Sequence, residues 1–207
     1  MNRLLYALAV SGVLGLSAAA WAGKYNKQLN IGDAAPDWKG LAGTDGQKHS
    51  MANLADKDVI VVCFTCNTCP YAVDCEDRLI ALAKKFASEG HKCAVVAINA
   101  NKVKDDLLPA MQERAKSKGF NFPYLHDETQ QVAKSYGATF TPEFVVLNKD
   151  RKVIYLGAMD DSPDGKKITK RYLEDAVAAA LAGKLPETTE TPAVGCAVRY
   201  VKDRKAP

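Results

Sequence analysis

The sequence is short of several things, and each shortage removes a class of protein. Its 207 residues carry a net charge of only +4, no Lys/Arg-dense block and 8% aromatic side chains, so the footprint of a nucleic-acid-binding protein is missing. No glycine loop of the phosphate-cradling kind occurs. There is no internal repeat and no low-complexity tract, which sets aside solenoid, collagen-like and disordered chains. Histidine is scarce, at three residues, and His91 and His126 stand alone. A structural zinc site therefore lacks the paired ligands it needs, and neither a metal nor another cofactor is expected. Beyond Ala22 no apolar run is long enough to cross a bilayer.

What is present is an ordinary globular composition with an unusual number of thiols. Hydrophobic residues make up 47% and charged residues 25%, and there are six cysteines. A single domain of this length buries roughly 70% of the surface its unfolded chain exposes, so the cysteines are not required as staples for a miniature scaffold. Residues 1–22 read as a cleaved secretory signal, with Arg3 in a short head, an apolar stretch over 4–20, and Ala20-Trp21-Ala22 ahead of Gly23. An uncleaved anchor is the competing reading, because that stretch approaches the shortest span of a bilayer. Cleavage implies an exported mature chain, periplasmic in a bacterium and otherwise secreted, with no stable membrane insertion. Disulfides persist in such a space. The expected division is a domain over 23–184 and an extended tail over 185–207 that carries Cys196.

Hydrophobic periodicity lays out the domain. Residues 24–55 are rich in turn signals, among them Gly32-Asp33 and Asp45-Gly46, and suit short strands that cap a sheet. Residues 59–64, Val-Ile-Val-Val-Cys-Phe, predict a central strand buried on both faces. Pro70 opens a helix to about residue 88, with Leu79, Leu82, Ala83 and Phe86 at helical spacing and Gly90 beyond its end. Strands are predicted over 93–98 and 122–125, and helices over 105–118 and 128–135. A hairpin of strands 143–147 and 151–156 turns at Asn148-Lys149-Asp150, and a last helix covers 167–181. The fold class is α/β, a layered sheet with helices against it.

The chemistry lies at Cys66-Asn67-Thr68-Cys69, where the central strand runs into the first helix. That junction places Cys66 at the helix N-terminus and Cys69 about a turn further in. Unpaired N–H groups and the positive end of the helix dipole lower a thiol from about 8.5 to roughly 3.5–7.5, which makes Cys66 the expected nucleophile. Cys69 is then placed to resolve a mixed disulfide on Cys66, so the pair acts as a two-electron switch. Further on, Thr141-Pro142 precedes a strand and is a candidate cis peptide. If it faces Cys66, the open backbone of Thr141 can pair with an incoming extended chain and present its thiol or disulfide.

These residues carry a resemblance. Ile31-Gly32-Asp33-Ala34-Ala35-Pro36-Asp37-Trp38, Asp45-Gly46, the strand into Cys66-Asn67-Thr68-Cys69-Pro70, and Thr141-Pro142 together resemble the thioredoxin superfamily. More narrowly they resemble its redoxin group, close to peroxiredoxins, over about residues 28–182. Val194-Gly195-Cys196-Ala197-Val198-Arg199-Tyr200 resembles an ending of peroxiredoxin-like members that carry a C-x-x-C. The resemblance implies a thioredoxin-like fold, a central mixed sheet flanked by helices, with an N-terminal extension and an extended C-terminal tail. It also implies thiol–disulfide exchange at Cys66 and Cys69, with protein thiols or disulfides, or a small thiol, as partners, and peroxide as a further candidate.

Departures from the family patterns narrow the chemistry. Peroxiredoxins share a P-x-x-x-T-x-x-C loop; here Val62 and Cys66 precede Cys69 where Pro and Thr belong, and Val59 and Cys63 precede Cys66. Thioredoxins proper carry Trp ahead of the first Cys and Gly-Pro between the pair, where this chain has Thr65 and Asn67-Thr68. Their buried acid is replaced by Ile60, so proton handling falls to Glu143, Asp74 or Glu76 as candidates. Cys63 and Cys93 read as packing. Cys75 is core filler or a secondary resolving thiol. Cys196 invites two readings: a tail that folds back to trade disulfides with Cys75 or the catalytic pair, or a static Cys75–Cys196 staple. Asp160-Asp161-Ser162-Pro163-Asp164-Gly165 lacks the closing Glu of a calcium loop and reads as a turn, with the Lys166-Lys167 and Lys170-Arg171 cluster on the solvated first turns of the last helix. The preferred function is an exported thiol–disulfide oxidoreductase. A thiol peroxidase and a copper carrier of the same fold, using the two cysteines and His126, are its rivals.

Overall fold

The computed structural model describes residues 23–201. The expected signal segment, residues 1–22, lies outside the described residues, as do residues 202–207. Two short strands, β1 (Leu41–Gly43) and β2 (Lys48–His49), turn about Asp45-Gly46, and a 3-10 turn, Met51–Leu54, leads to β3 (Val59–Phe64). Then come α1 (Pro70–Ser88), β4 (Cys93–Asn99), a 3-10 turn over Lys104–Asp106, α2 (Leu108–Lys118), β5 (Tyr124–His126) and α3 (Gln131–Ser135). The chain closes with β6 (Phe140–Thr141), β7 (Glu143–Leu147), β8 (Val153–Gly157), α4 (Tyr172–Leu181) and β9 (Cys196–Ala197).

Seven strands make one mixed sheet in the order β2-β1-β5-β4-β3-β7-β8. β3 sits at its heart, parallel to β4 and antiparallel to β7, and every one of its side chains is buried. Alternation along β3 feeds two cores. Ile60, Val62 and Phe64 join Trp38, Leu29, Ile98 and Tyr136 on one face, under the N-terminal segment and α3. Val59, Val61 and Cys63 join Cys75, Leu79, Leu82 and Phe86 of α1 and Leu173, Ala176 and Val177 of α4 on the other. A run that is apolar at both parities is what a strand covered on both faces requires.

Several element boundaries differ from the sequence expectation, β8 among them at Val153–Gly157 rather than 151–156, and local carboxylates account for the three helical ones. The helix expected over 105–118 begins only at Leu108, because Leu107 is extended (φ −77°, ψ 161°) and Asp106 is drawn away to another loop. The helix expected over 128–135 shrinks to α3, since Asp127 accepts a hydrogen bond from Ala133 N (2.9 Å) and Gln130 turns left-handed at φ 63°. The last helix begins at Tyr172 rather than 167. Asp161 accepts from Thr169 N (2.8 Å) and Lys170 N (2.9 Å), which closes the preceding segment as a loop. The basic cluster at 166–171 therefore lies on that loop and not on helical turns. The strand expected over 122–125 is found at Tyr124–His126.

The tail is extended as expected, and it folds back onto the domain, as one of the two readings of Cys196 requires. Instead of trailing, it is stitched to the domain: Leu156 N donates to Thr189 O (3.0 Å) and Thr191 N to Leu156 O (3.0 Å). Downstream, Arg199 N donates to Asn101 Oδ1 (2.8 Å) and Val201 N to Gln130 Oε1 (2.9 Å). Between those anchors β9 pairs antiparallel with β6.

Candidate active site

α1 begins at Pro70, a residue suited to a first helical turn, and its N-cap is Cys69. The sequence expectation that Cys66 occupies the helix N-terminus is thus corrected by three residues: the dipole acts first on Cys69. Both sulfurs are covered, with Cys66 2% and Cys69 1% exposed. They form a small cluster of their own with Ala72, against which Cys196 packs.

The Cys66-Asn67-Thr68-Cys69 loop is held by a residue the sequence did not announce. Asp106, wholly buried, accepts hydrogen bonds from Asn67 N (2.7 Å), Thr68 N (3.1 Å), Thr68 Oγ1 (2.8 Å) and Asn101 Nδ2 (3.0 Å). Asn67 is further fixed by donating to Asp105 O (2.7 Å) and by accepting from the Tyr124 hydroxyl (3.0 Å). The available signal was positional. Asn99 and Asn101 follow β4 at the same sheet end where the parallel β3 delivers the thiols, and polar residues there belong to a site more often than to a core.

Around the sulfurs the polar groups are few. Thr141 Oγ1 lies 3.4 Å and Thr68 Oγ1 3.8 Å from Cys66 Sγ. Cys69 Sγ lies 2.9 Å from the Thr141 carbonyl oxygen, to which it donates when protonated. The Cys66 thiol, the strongest donor facing Cys69, pulls the Cys69 thiol well below its ordinary value against the opposing effect of burial, helped by the Cys196 thiol, the Ala72 N–H and the Thr141 hydroxyl. Donating to that sulfur, being buried and facing the charge of Asp106 all hold Cys66 protonated. Hydrogen bonding from Cys66 thus pulls the Cys69 thiol down while Cys66 is pushed up, the opposite of the order expected from the sequence.

Thr141–Pro142 is cis, as the sequence suggested. The expectation of an open Thr141 backbone is corrected, because Thr141 is 2% exposed and its strand partner is the chain's own Cys196. Glu143, one of the candidates for proton handling, is engaged with the backbone and not with either sulfur. Its Oε2 accepts from Thr139 N (2.8 Å) and Phe140 N (3.1 Å), so it braces the segment leading to Thr141, and burial raises its pKa. Glu76 is taken by Arg114 in a two-pronged pair (2.8 and 2.7 Å) that ties α1 to α2, and Asp74 is exposed. Thr65 is half-buried and contributes its backbone N–H to Ile98 O (2.9 Å).

Cys75 belongs to the opposite core, where its Sγ lies 3.1 Å from Met159 Sδ and burial pushes its thiol up to about 12. It is core filler, and the Cys75–Cys196 staple is replaced by a Cys196 that packs against the catalytic pair. Cys63 and Cys93 are likewise held up by burial. The acidic loop is closed on itself and on Arg78, which pairs with Asp160 and donates to Pro163 O (2.9 Å). His126, placed on β5, keeps an unpaired buried Nε2, and among the described residues no group of three His, Cys, Asp or Glu side chains is arranged to hold a metal ion.

Comparison with known proteins follows this geometry. A family model described as Redoxin matches residues 30–176. A protein of Sinorhizobium meliloti 1021 described as hypothetical is 35% identical, with a TM-score of 0.78 over 85% of this chain and 97% of that one. An uncharacterized conserved protein of Geobacillus kaustophilus is 32% identical, with a TM-score of 0.79 over 86% and 96%. A thiol:disulfide interchange protein of the thioredoxin family from Chlorobium tepidum TLS shares the fold at 21% identity and a TM-score of 0.57, over 73% and 98%. No curated protein matches the chain. The fold is thioredoxin-like, a central mixed sheet flanked by helices.

Proposed function

Because the chain belongs to the Redoxin family, we propose that it is an exported thiol–disulfide oxidoreductase whose working couple is Cys66 and Cys69. In the reduced protein the Cys69 thiolate attacks one sulfur of a partner disulfide. A Cys69–partner bond forms, the partner's other sulfur leaves as a thiolate and takes a proton. Cys66 then gives up its proton and attacks Cys69 Sγ, closing Cys66–Cys69 and releasing the second partner thiolate. Two electrons pass from the protein to the partner, and the reverse sequence oxidises a partner dithiol.

The observation that carries this reading is the isolation of the two sulfurs. They cluster apart from the other thiols, with Thr141 against both sulfurs and Asp106 holding the loop between them, while burial raises Cys63, Cys75 and Cys93. Tyr71, Pro142 and Val194 line a pocket with Cys75 and Arg78, and Tyr71 and Val194 are exposed, which suits a protein or peptide partner better than an ion. The test is reduction of a disulfide reporter by the wild type and by Cys66→Ser and Cys69→Ser variants. Turnover lost in both supports the couple; turnover kept in either refutes it. Titration against glutathione fixes the direction of flow, a potential near about −270 mV marking a reductase and one near about −120 mV an oxidant. Export is tested by fractionating cells that express the full chain and sequencing the mature N-terminus. The peroxidase reading is disfavoured, since Val62 in one register and Val59 and Cys63 in the other, which stand where the loop's Pro and Thr belong, are buried strand residues.

A further inference from the structure

The couple proposed above leaves one thiol unexplained. Cys66 and Cys69 are covered while the tail is down, so direct exchange with an outside partner requires the tail to open, unless a sulfur that solvent can reach acts on their behalf. Cys196 is such a sulfur, because it is only partly buried and still packs on the pair. It is held there by strand pairing, with Thr141 opposite Cys196 and Phe140 opposite Ala197, and by Val198 N donating to Thr139 O (2.9 Å). Gly195 makes this approach feasible: a Cβ on it would overlap the Thr141 carbonyl oxygen. The tail thus lies along β6 as an extended peptide would, a docking mode in which main-chain pairing supplies register and one side chain points at the site.

We propose that Cys196 is a third redox-active thiol, an intramolecular substrate of the Cys66–Cys69 disulfide that carries its oxidising equivalent to the surface as a Cys69–Cys196 disulfide. This rests on the Cys66–Cys69 couple. The step balances within the chain. Cys196 loses its proton to solvent and its thiolate attacks Cys69 Sγ. The Cys69–Cys196 bond forms, the Cys66–Cys69 bond breaks, and Cys66 departs with the electron pair and takes up a proton. An outside thiol, small or protein-borne, then attacks Cys196 as its thiolate. A mixed disulfide forms on Cys196 and Cys69 leaves as a thiolate, the role its depressed pKa favours. A second outside thiolate attacks the partner sulfur of that mixed disulfide, releasing the partner disulfide and a reduced Cys196. The same relay run backwards hands the electrons of the reduced pair to a partner disulfide.

Two measurements test it. The wild type and a Cys66→Ala variant are oxidised with oxidised glutathione, quenched in acid and mapped by mass spectrometry. The relay requires Cys66–Cys69 in the wild type and Cys69–Cys196 in Cys66→Ala. A variant that yields only glutathione adducts on Cys69 and Cys196, beside a wild type that does close Cys66–Cys69, overturns the relay and leaves the couple standing. A wild type with no Cys66–Cys69 bridge sinks the couple, and the relay with it. In the second, oxidised Cys196→Ser, which retains the tail's backbone pairing, is reduced by dithiothreitol. The expected rate is at least tenfold below wild type, and an equal or faster rate overturns the relay by showing the tail to be merely a cover.

Discussion

Replacing Gly195 by alanine is the most direct perturbation of the covered site. The new Cβ would overlap the Thr141 carbonyl oxygen, and neither side can yield easily. Thr141 is braced through Thr139 N and Phe140 N on Glu143 Oε2 (2.8 and 3.1 Å). The tail is pinned ahead of the contact by Thr191, whose Oγ1 meets the Tyr155 hydroxyl at 2.8 Å, and after it by Arg199 and Val201. The pairing of β9 with β6 must therefore open. Two or three hydrogen bonds at roughly 0.5–1.5 kcal/mol each make the loss about 2 kcal/mol. Such a loss shifts the balance of covered and open tail about 30-fold. Iodoacetamide labelling of Cys69 in the reduced protein, followed by mass spectrometry, reads the open fraction. Labelling is expected to rise about 10- to 30-fold over wild type, with a fall in Tm of about 4–8 °C. A Gly195→Ala protein that labels and melts like the wild type would refute the claim that this contact keeps the sulfurs covered.

Three further outcomes follow from other residues. Asp106→Ala removes the acceptor of four hydrogen bonds in a wholly buried place; it should lower the unfolding free energy by about 3–5 kcal/mol in a urea titration, and a loss under about 1 kcal/mol would count against Asp106 as the loop's anchor. Cys66→Ala deletes the strongest donor facing Cys69, so the midpoint of the Cys69 alkylation rate against pH should move upward from its depressed wild-type position; coincident profiles would contradict the reversed order of the thiols. Glu143 is raised above its ordinary 4.5 by burial, so its protonated form is the one the fold prefers. Its contribution to stability is full below 4.5 and declines as pH rises through the raised value. Against Glu143→Gln, the wild type should accordingly lose stability as pH climbs out of the acidic range, and parallel stability curves would dismiss the effect.

Much of the scaffold could be read from periodicity, since β3 is apolar at both parities and α1 repeats its apolar residues at helical spacing from Leu79 to Phe86. The cis bond at Thr141–Pro142 and the two cysteines of the site were likewise visible in local sequence. What escaped were interactions between segments distant in the chain. Asp106 looked like the opening of a helix, because nothing local reveals that its carboxylate turns back to residues 67 and 68. Arg78 and Asp160 pair across 82 positions, and neither has a periodic signature. The order of the thiols failed for a finer reason: with α1 opening at Pro70 as the sequence indicated, Cys69 and not Cys66, three residues earlier, caps the helix and meets its dipole. The tail was read as extended, which its backbone is, but an extended chain gives no hint of the strand it will choose.

The manner in which Asp106 grips residues 67 and 68 has a consequence for exchanging that dipeptide. It binds main-chain N–H groups, so the backbone course between the cysteines survives many changes of side chain at 67. Proline at 68 is the exception, having no N–H to offer. A Gly-Pro spacer grafted here would remove both the Thr68 N–H and the Thr68 hydroxyl, leaving two acceptor positions of a buried carboxylate unfilled. Residues 67–68 and the turn at Asp106, 38 positions further on, would have to be transplanted together as a single cassette.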